Sequence, residues 1–174
     1  YDLSDDTSCQ VYRGYSSNWP KCNGAVDSTK GQVLTFNGSP VSAYFSASDG
    51  GYTEDSVNVW GSSLPYLKAK PDSFDTAYVW TSTFTRDQMD AALKSSSTIT
   101  AKDTFESIKL DTIATFDSGR ISNIEIVYKD STGTEQTKAL SKNSARTFLA
   151  LKSSLYTVKF DSAGNTYTFT GKGN

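Results

Sequence analysis

At 174 residues the chain is long enough for one domain with a sizeable core. Its 17 basic and 19 acidic side chains leave a net charge of −2, too little positive charge for a face that displaces counterions from nucleic-acid phosphates. There is no histidine, which excludes Ser-His-Asp and Cys-His nucleophiles and histidine-ligated metals.

Proton transfer would therefore fall to Glu54, Glu106, Glu125 or Glu135, or to an aspartate, lysine or tyrosine. Apolar residues make up 36% and aromatics 13%, with abundant Ser and Thr, the composition of an extracellular β-rich protein. No apolar run approaches the roughly 20 residues of a membrane span, so no transmembrane segment is expected. The chain opens on Tyr1 and not Met, so a processed or trimmed polypeptide, secreted or cell-wall associated, is expected. Cys9 and Cys22 are expected to form a disulfide closing a short loop, worth about 3 kcal/mol; two buried free thiols are the alternative. Two thiols without histidine cannot assemble a structural zinc site, and neither a metal nor a cofactor is expected.

In chain order, Asp2 to Ser8 reads as a polar loop and Gln10 to Tyr12 as a short strand. Gly14 to Gly24 reads as a loop holding Trp19 and Pro20. Ala25 to Gly31 then turns into a strand from Gln32 to Phe36, and Asn37-Gly38 is a type I′ hairpin signal leading into a strand from Val41 to Phe45. Lys68 to Tyr78 is irregular. Val79 to Phe84 alternates as a strand, and Thr85-Arg86-Asp87-Gln88 fits a capping box opening a helix with Met89, Ala92 and Leu93 inward. Strands follow at Phe105 to Phe116, Ile121 to Tyr128 (Ile124, Ile126 and Tyr128 on one face) and Glu135 to Leu140. A second short helix spans Ser141 to Leu149, and a hairpin pairs Leu155 to Phe160 with Tyr167 to Thr170. The sum is a β-dominated α+β single domain of antiparallel hairpins and sheet with two short helices. Its parts are a hairpin and Gly-Gly loop part at about 1–78 and a strand-rich part at about 79–174.

One stretch carries binding chemistry. Ser46 to Glu54 holds the only Gly-Gly pair, Gly50-Gly51, and leads through Trp60 to Tyr66. Adjacent glycines take positive φ and leave amide N–H groups unshielded, and small hydroxyls, Asp49, Glu54 and aromatics surround them. That mixture suits a polyhydroxylated ligand, with aromatic faces on sugar CH groups and carboxylates on hydroxyls. The plainer reading is a connecting loop whose aromatics pack inward. Trp19 and Trp80 are expected to pack, and Glu106, Glu125 and Glu135 to lie on solvated faces.

Four segments together resemble the stage II sporulation protein D (SpoIID/LytB amidase-enhancer) family nearly end to end. Asp2 to Gly14 resembles its segment before the first hairpin. Ala25-Val26-x-x-Thr29-x-Gly31-x-Val33-Leu34 with Asn37-Gly38 resembles that hairpin. Ala43 to Leu67, with Gly50-Gly51-x-Thr53-Glu54, Val59-Trp60-Gly61 and Leu64-Pro65-Tyr66-Leu67, is the most specific block. Arg146 to Tyr156 is similar to a late R-x-x-L-x-L-x-S motif. The resemblance implies peptidoglycan degradation by lytic transglycosylation, or enhancement of a cell-wall amidase. The family's acid glutamate sits on a helix immediately upstream of the matching segment, and its G-H-G-V-G-M-S-Q segment lies downstream. Neither is present in this sequence. Ser4 and Ser8 stand where some members carry a zinc-binding Cys and His, and Ser46 stands where members often carry His.

Three readings follow from the resemblance. The first is a body that binds peptidoglycan glycan strands through Ser48, Asp49, Gly50, Gly51, Thr53, Glu54, Trp60 and Tyr66 without cleaving them, its partners being those strands and a cell-wall amidase or the absent flanking segments. The second is a non-enzymatic extracellular or amidase-enhancer-type protein. The third keeps the chain catalytic, with Glu54 as the acid against Trp60.

Overall fold

The computed structural model describes residues 6, 11–12, 14–76 and 78–174. Two compact units are present, Tyr1–Ala43 and Tyr44–Asn174. Together they hold, among the described residues, four helices and antiparallel strands in a β-dominated α+β arrangement.

The first unit departs from the sequence expectation. Helix α1, Pro20–Ser28, occupies the region read as a loop and turn. Pro20 and Gly24 looked like loop punctuation, yet a proline at the first helical turn loses only an N–H that has no intrahelical partner there. Asn37 (φ 49°) and Gly38 (φ 79°) do form the hairpin turn, between β1, Thr35–Phe36, and β2, Ser39–Pro40. Its strands are only two residues each, with one further ladder bond beyond them, from Val41 N–H to Leu34 O at 3.1 Å. Val11 and Tyr12 are not in a strand, nor are residues 41–45. Trp19 is 55% exposed and does not pack as expected. Cys22 is an exposed free thiol, so the expected Cys9–Cys22 bridge is not present; Cys9 itself lies outside the described residues.

The second unit follows the sequence closely. After α2, Ser56–Trp60, come β3, Val79–Thr85, and α3, Arg86–Ser95, then β4, Thr104–Thr115, β5, Ile121–Lys129, and β6, Glu135–Leu140. A short helix α4, Ser144–Thr147, precedes β7, Tyr156–Asp161, and β8, Thr166–Lys172. Helix α3 begins on the reciprocal capping box: the Thr85 side chain accepts from Gln88 N–H, and the Gln88 side chain from Thr85 N–H. One sheet has the order β4-β5-β6, the other β3-β8-β7, both antiparallel. Strand β8 is thus paired on both edges.

Period-two alternation builds the core from both sheets. Trp80, Tyr156, Tyr167 and Phe169 are buried from one sheet; Phe105, Ile108, Ile124, Ile126 and Leu140 from the other. Met89 and Leu93 of α3, with Ile99, Ile121, Ala145, Phe148, Leu149 and Leu151, complete the cluster. Buried tyrosines keep partners: Tyr167 Oη accepts from Ile108 N–H at 3.2 Å, and Tyr156 Oη donates to Ala145 O at 2.5 Å. Burial pushes the Tyr156 phenol above its ordinary range. Gly171 lies flat beneath Trp80, where a Cβ would stand 2.3 Å from Cζ2. No helix of the described residues is long and apolar enough to cross a membrane.

Candidate functional site

The diglycine corner is fixed by hydrogen bonds from three directions. Gly50 (φ 81°) is buried against the end of β8, where a Cβ would come within 2.8 Å of Leu155 Cδ2 and 3.1 Å of Lys172. That close approach and the positive φ together require glycine. Gly50 N–H donates to Asp75 Oδ2 at 2.7 Å, and Ser48 Oγ donates to the same oxygen at 2.7 Å. Gly51 N–H donates to Asp49 Oδ1 at 2.8 Å. The Ser48 hydroxyl, above all, holds the Asp75 carboxyl below its usual range, while burial pushes Asp49 upward.

Arg120, at the start of β5, clamps the loop from the other side. Its Nη1 donates to Tyr52 O at 2.6 Å and Thr53 O at 3.4 Å, and Nη2 donates to Asp49 O at 2.6 Å. The planar fork suits several carbonyls at once, which an ammonium could not hold in that geometry. Burial lowers the Arg120 pKa, against the opposing pull of Glu54 and Asp49. Thr53 is committed to the antiparallel segment of loop at residues 68–72: its N–H and hydroxyl donate to Lys70 O and Lys68 O, at 2.8 and 3.0 Å.

Glu54 has both carboxylate oxygens taken by the protein. Oε1 accepts from Asp55 N–H at 2.8 Å and Asn58 Nδ2 at 2.9 Å, and Oε2 accepts from the buried Ser118 hydroxyl. Trp60 is not the wall imagined for it. That indole packs against Tyr44 at a tilt of 36°, with centroids 4.4 Å apart, and is 54% exposed. Glu54 instead lines a small cleft of about 90 Å³ with Asn58, Arg120, Lys142 and Arg146.

A larger open groove of about 480 Å³ runs beside the corner. It is lined by Gly50, Gly51 and Tyr52 of the corner, by Ser118 and Gly119, and by Val79, Leu155, Thr157, Thr170 and Lys172. Of the residues expected to bind, the structure puts Gly50 and Gly51 in this groove and Glu54 in the smaller cleft. Ser48, Asp49 and Thr53 hold the loop, Trp60 lines neither concavity, and Tyr66 is half-buried. Asp75, Ser118 and Arg120 were missed by sequence reasoning. The one available signal was Arg120 itself, an isolated arginine directly after a Ser-Gly turn. Among the described residues no group of His, Cys, Asp and Glu side chains gathers as a metal site requires.

Comparison with known proteins divides the chain. A family described as "Domain of unknown function (DUF8618)" matches residues 68–174, and the family described as "Stage II sporulation protein" matches residues 1–36. Over 88 residues the chain is 51% identical to the amidase enhancer of Bacillus subtilis (strain 168), covering 51% of this chain and 12% of that protein. Over 98 residues it is 37% identical to stage II sporulation protein D of the same organism, covering 48% of this chain and 29% of that one. An uncharacterized protein of Brachyspira hyodysenteriae (strain ATCC 49526 / WA1) is 28% identical over 177 residues, which is 100% of this chain and 45% of that protein. The chain thus spans less than half the length of each of these relatives. The chain belongs to the family described as "Domain of unknown function (DUF8618)", whose match covers more than half of it, and its resemblance to the stage II sporulation protein D family is supported by the match at residues 1–36 and by these relatives.

Proposed function

We propose that this chain is a glycan-holding body of an extracytoplasmic cell-wall protein, binding peptidoglycan sugar strands and not cleaving them by itself. The observation that carries this reading is the open groove of about 480 Å³ beside Gly50 and Gly51. Its lining mixes the hydroxyls of Thr157 and Thr170 and the Lys172 side chain with apolar Val79 and Leu155, a combination that suits a polyhydroxylated ring. The lactyl carboxylates of strands without stem peptides would be complementary to Lys172. The absence of cleavage is supported by Glu54, whose oxygens are already engaged by Asp55, Asn58 and Ser118 and so are not free to serve a glycosidic oxygen.

Incubating the polypeptide with purified, peptide-free glycan strands tests both halves. Co-sedimentation without anhydro-muramyl products is expected. Release of those products, abolished in Glu54→Gln, would overturn the non-cleaving half and restore Glu54 as an acid.

A second reading is favoured by one comparison, the 51% identity to a protein named amidase enhancer. On that reading the chain is non-enzymatic and acts beside a cell-wall amidase. Stimulation of amidase-dependent wall release by a variant that no longer binds glycan would favour it over the first.

A further inference from the structure

The outer face of the β3-β8-β7 sheet is a threonine array. Thr81, Thr83 and Thr85 on β3 stand directly opposite Thr170, Thr168 and Thr166 on β8, and Thr157 on β7 extends the row of Thr81 and Thr170. The intervening residues, Trp80, Phe84, Tyr167 and Phe169, turn into the core, so the threonines point outward. Thr83 and Thr168 share a hydroxyl–hydroxyl hydrogen bond at 3.1 Å. The hydroxyls of Thr81 and Thr170 have no partner among the described residues. Only Lys159, Asp161 and Lys172 bring charge to this face.

Threonine is a good strand former, and that alone would explain one or two of these residues. The other sheet meets the same propensity demand differently. Its strands carry the ion pairs Lys109–Glu125 and Lys129–Glu106, the usual way of solvating a sheet face. Only one face has replaced paired charges by a repeating methyl-and-hydroxyl lattice. That face also runs into the groove, because Val79, Thr157, Thr170 and Lys172 line both. From Val79 to Thr85 the array extends about 20 Å along the strand, longer than a single sugar ring.

We propose that this threonine face is an extension of the glycan site, a track on which a linear, hydroxyl-rich polysaccharide leaving the groove lies along β3 and β8. The inference rests on the glycan-binding reading and deepens it. Threonine methyls meet sugar CH edges while the hydroxyls exchange hydrogen bonds with sugar hydroxyls, each contact weak and the sum dependent on strand length.

The test compares a long, peptide-free glycan strand with a tetrasaccharide of the same repeat, using the wild-type chain and the triple variant Thr81→Val, Thr83→Val, Thr168→Val. None of these three residues lines the groove, and valine keeps shape and strand propensity while removing the hydroxyl. The wild type is expected to bind the long strand at least roughly tenfold more tightly than the tetrasaccharide. The valine variant should lose that difference while its tetrasaccharide affinity and melting temperature stay unchanged. A companion triple serine variant, which keeps the hydroxyls, should retain most of the difference. Length-dependent binding that survives the valine substitutions would overturn the track and leave the groove standing. Binding of neither ligand by the wild type would overturn both.

Discussion

At the residue scale, the site depends on side chains that hold backbone in place and do not face a ligand. Arg120 satisfies carbonyls of Asp49, Tyr52 and Thr53 that would otherwise be half-buried without partners. Arg120→Ala is expected to cost about 2–3 kcal/mol, the range for a charged hydrogen-bonding group, and to lower the melting temperature by roughly 5–10 °C. Calorimetry reads this directly, and a shift within a degree would show the clamp to be dispensable. Asp130, in the β5–β6 turn, is held at about 2, first by the Thr132 hydroxyl and then by the Gln136 side chain and the N–H groups of Thr132 and Thr134. An unfolded aspartate titrates near about 3.9. The folded value is lower, so the stabilisation is complete above about pH 4 and is lost as pH falls through about 2. Carboxyl NMR should place the Asp130 midpoint near the lower value, and Asp130→Asn should remove that acid-dependent component of stability.

At the element scale, β8 and α3 are where single changes reach furthest. Gly171 sits between Trp80 and the Leu155 carbonyl, where an added Cβ would be 2.3 Å from the indole and 2.7 Å from the oxygen. Gly171→Ala must displace both and is expected to cost about 1–3 kcal/mol by overpacking. Urea unfolding with an unchanged midpoint would contradict that. Thr85→Ala removes the side-chain half of the α3 cap and should cost about 1 kcal/mol without altering the Thr81 or Thr83 face. Both elements were legible from sequence. The capping box is local chemistry over four residues, and alternation in β3 and β8 names the buried side chains without any knowledge of their partners. Helix α1 was not legible, since Pro20 and Gly24 are turn signals in most settings and its apolar residues make no buried stripe. The expected strand at Val41 to Phe45 failed for a related reason. Pairing goes no further than the bond from Val41 N–H to Leu34 O, because a short apolar run does not by itself fix a partner strand.

At the scale of the whole molecule, the two units differ in how firmly they are tied. Among the described residues, the buried apolar core lies entirely within Tyr44–Asn174, and the β1–β2 hairpin is exposed throughout. Amide exchange should therefore be slowest in β5 and β8, which are paired on both edges, and orders of magnitude faster in the hairpin. Equal protection in both would refute the distinction. By itself, the sequence determined the fold class, the strands from Val79 onward and the capped helix. Those features are set by propensity, periodicity and local hydrogen bonding. Tertiary structure alone decided that Asp75, Ser118 and Arg120, distant in the chain, would hold the corner. It alone also brought Thr81, Thr83 and Thr85 beside Thr170, Thr168 and Thr166. Both depend on long-range pairing register, in which backbone groups far apart in sequence meet because the shared core leaves their strands one way to pack.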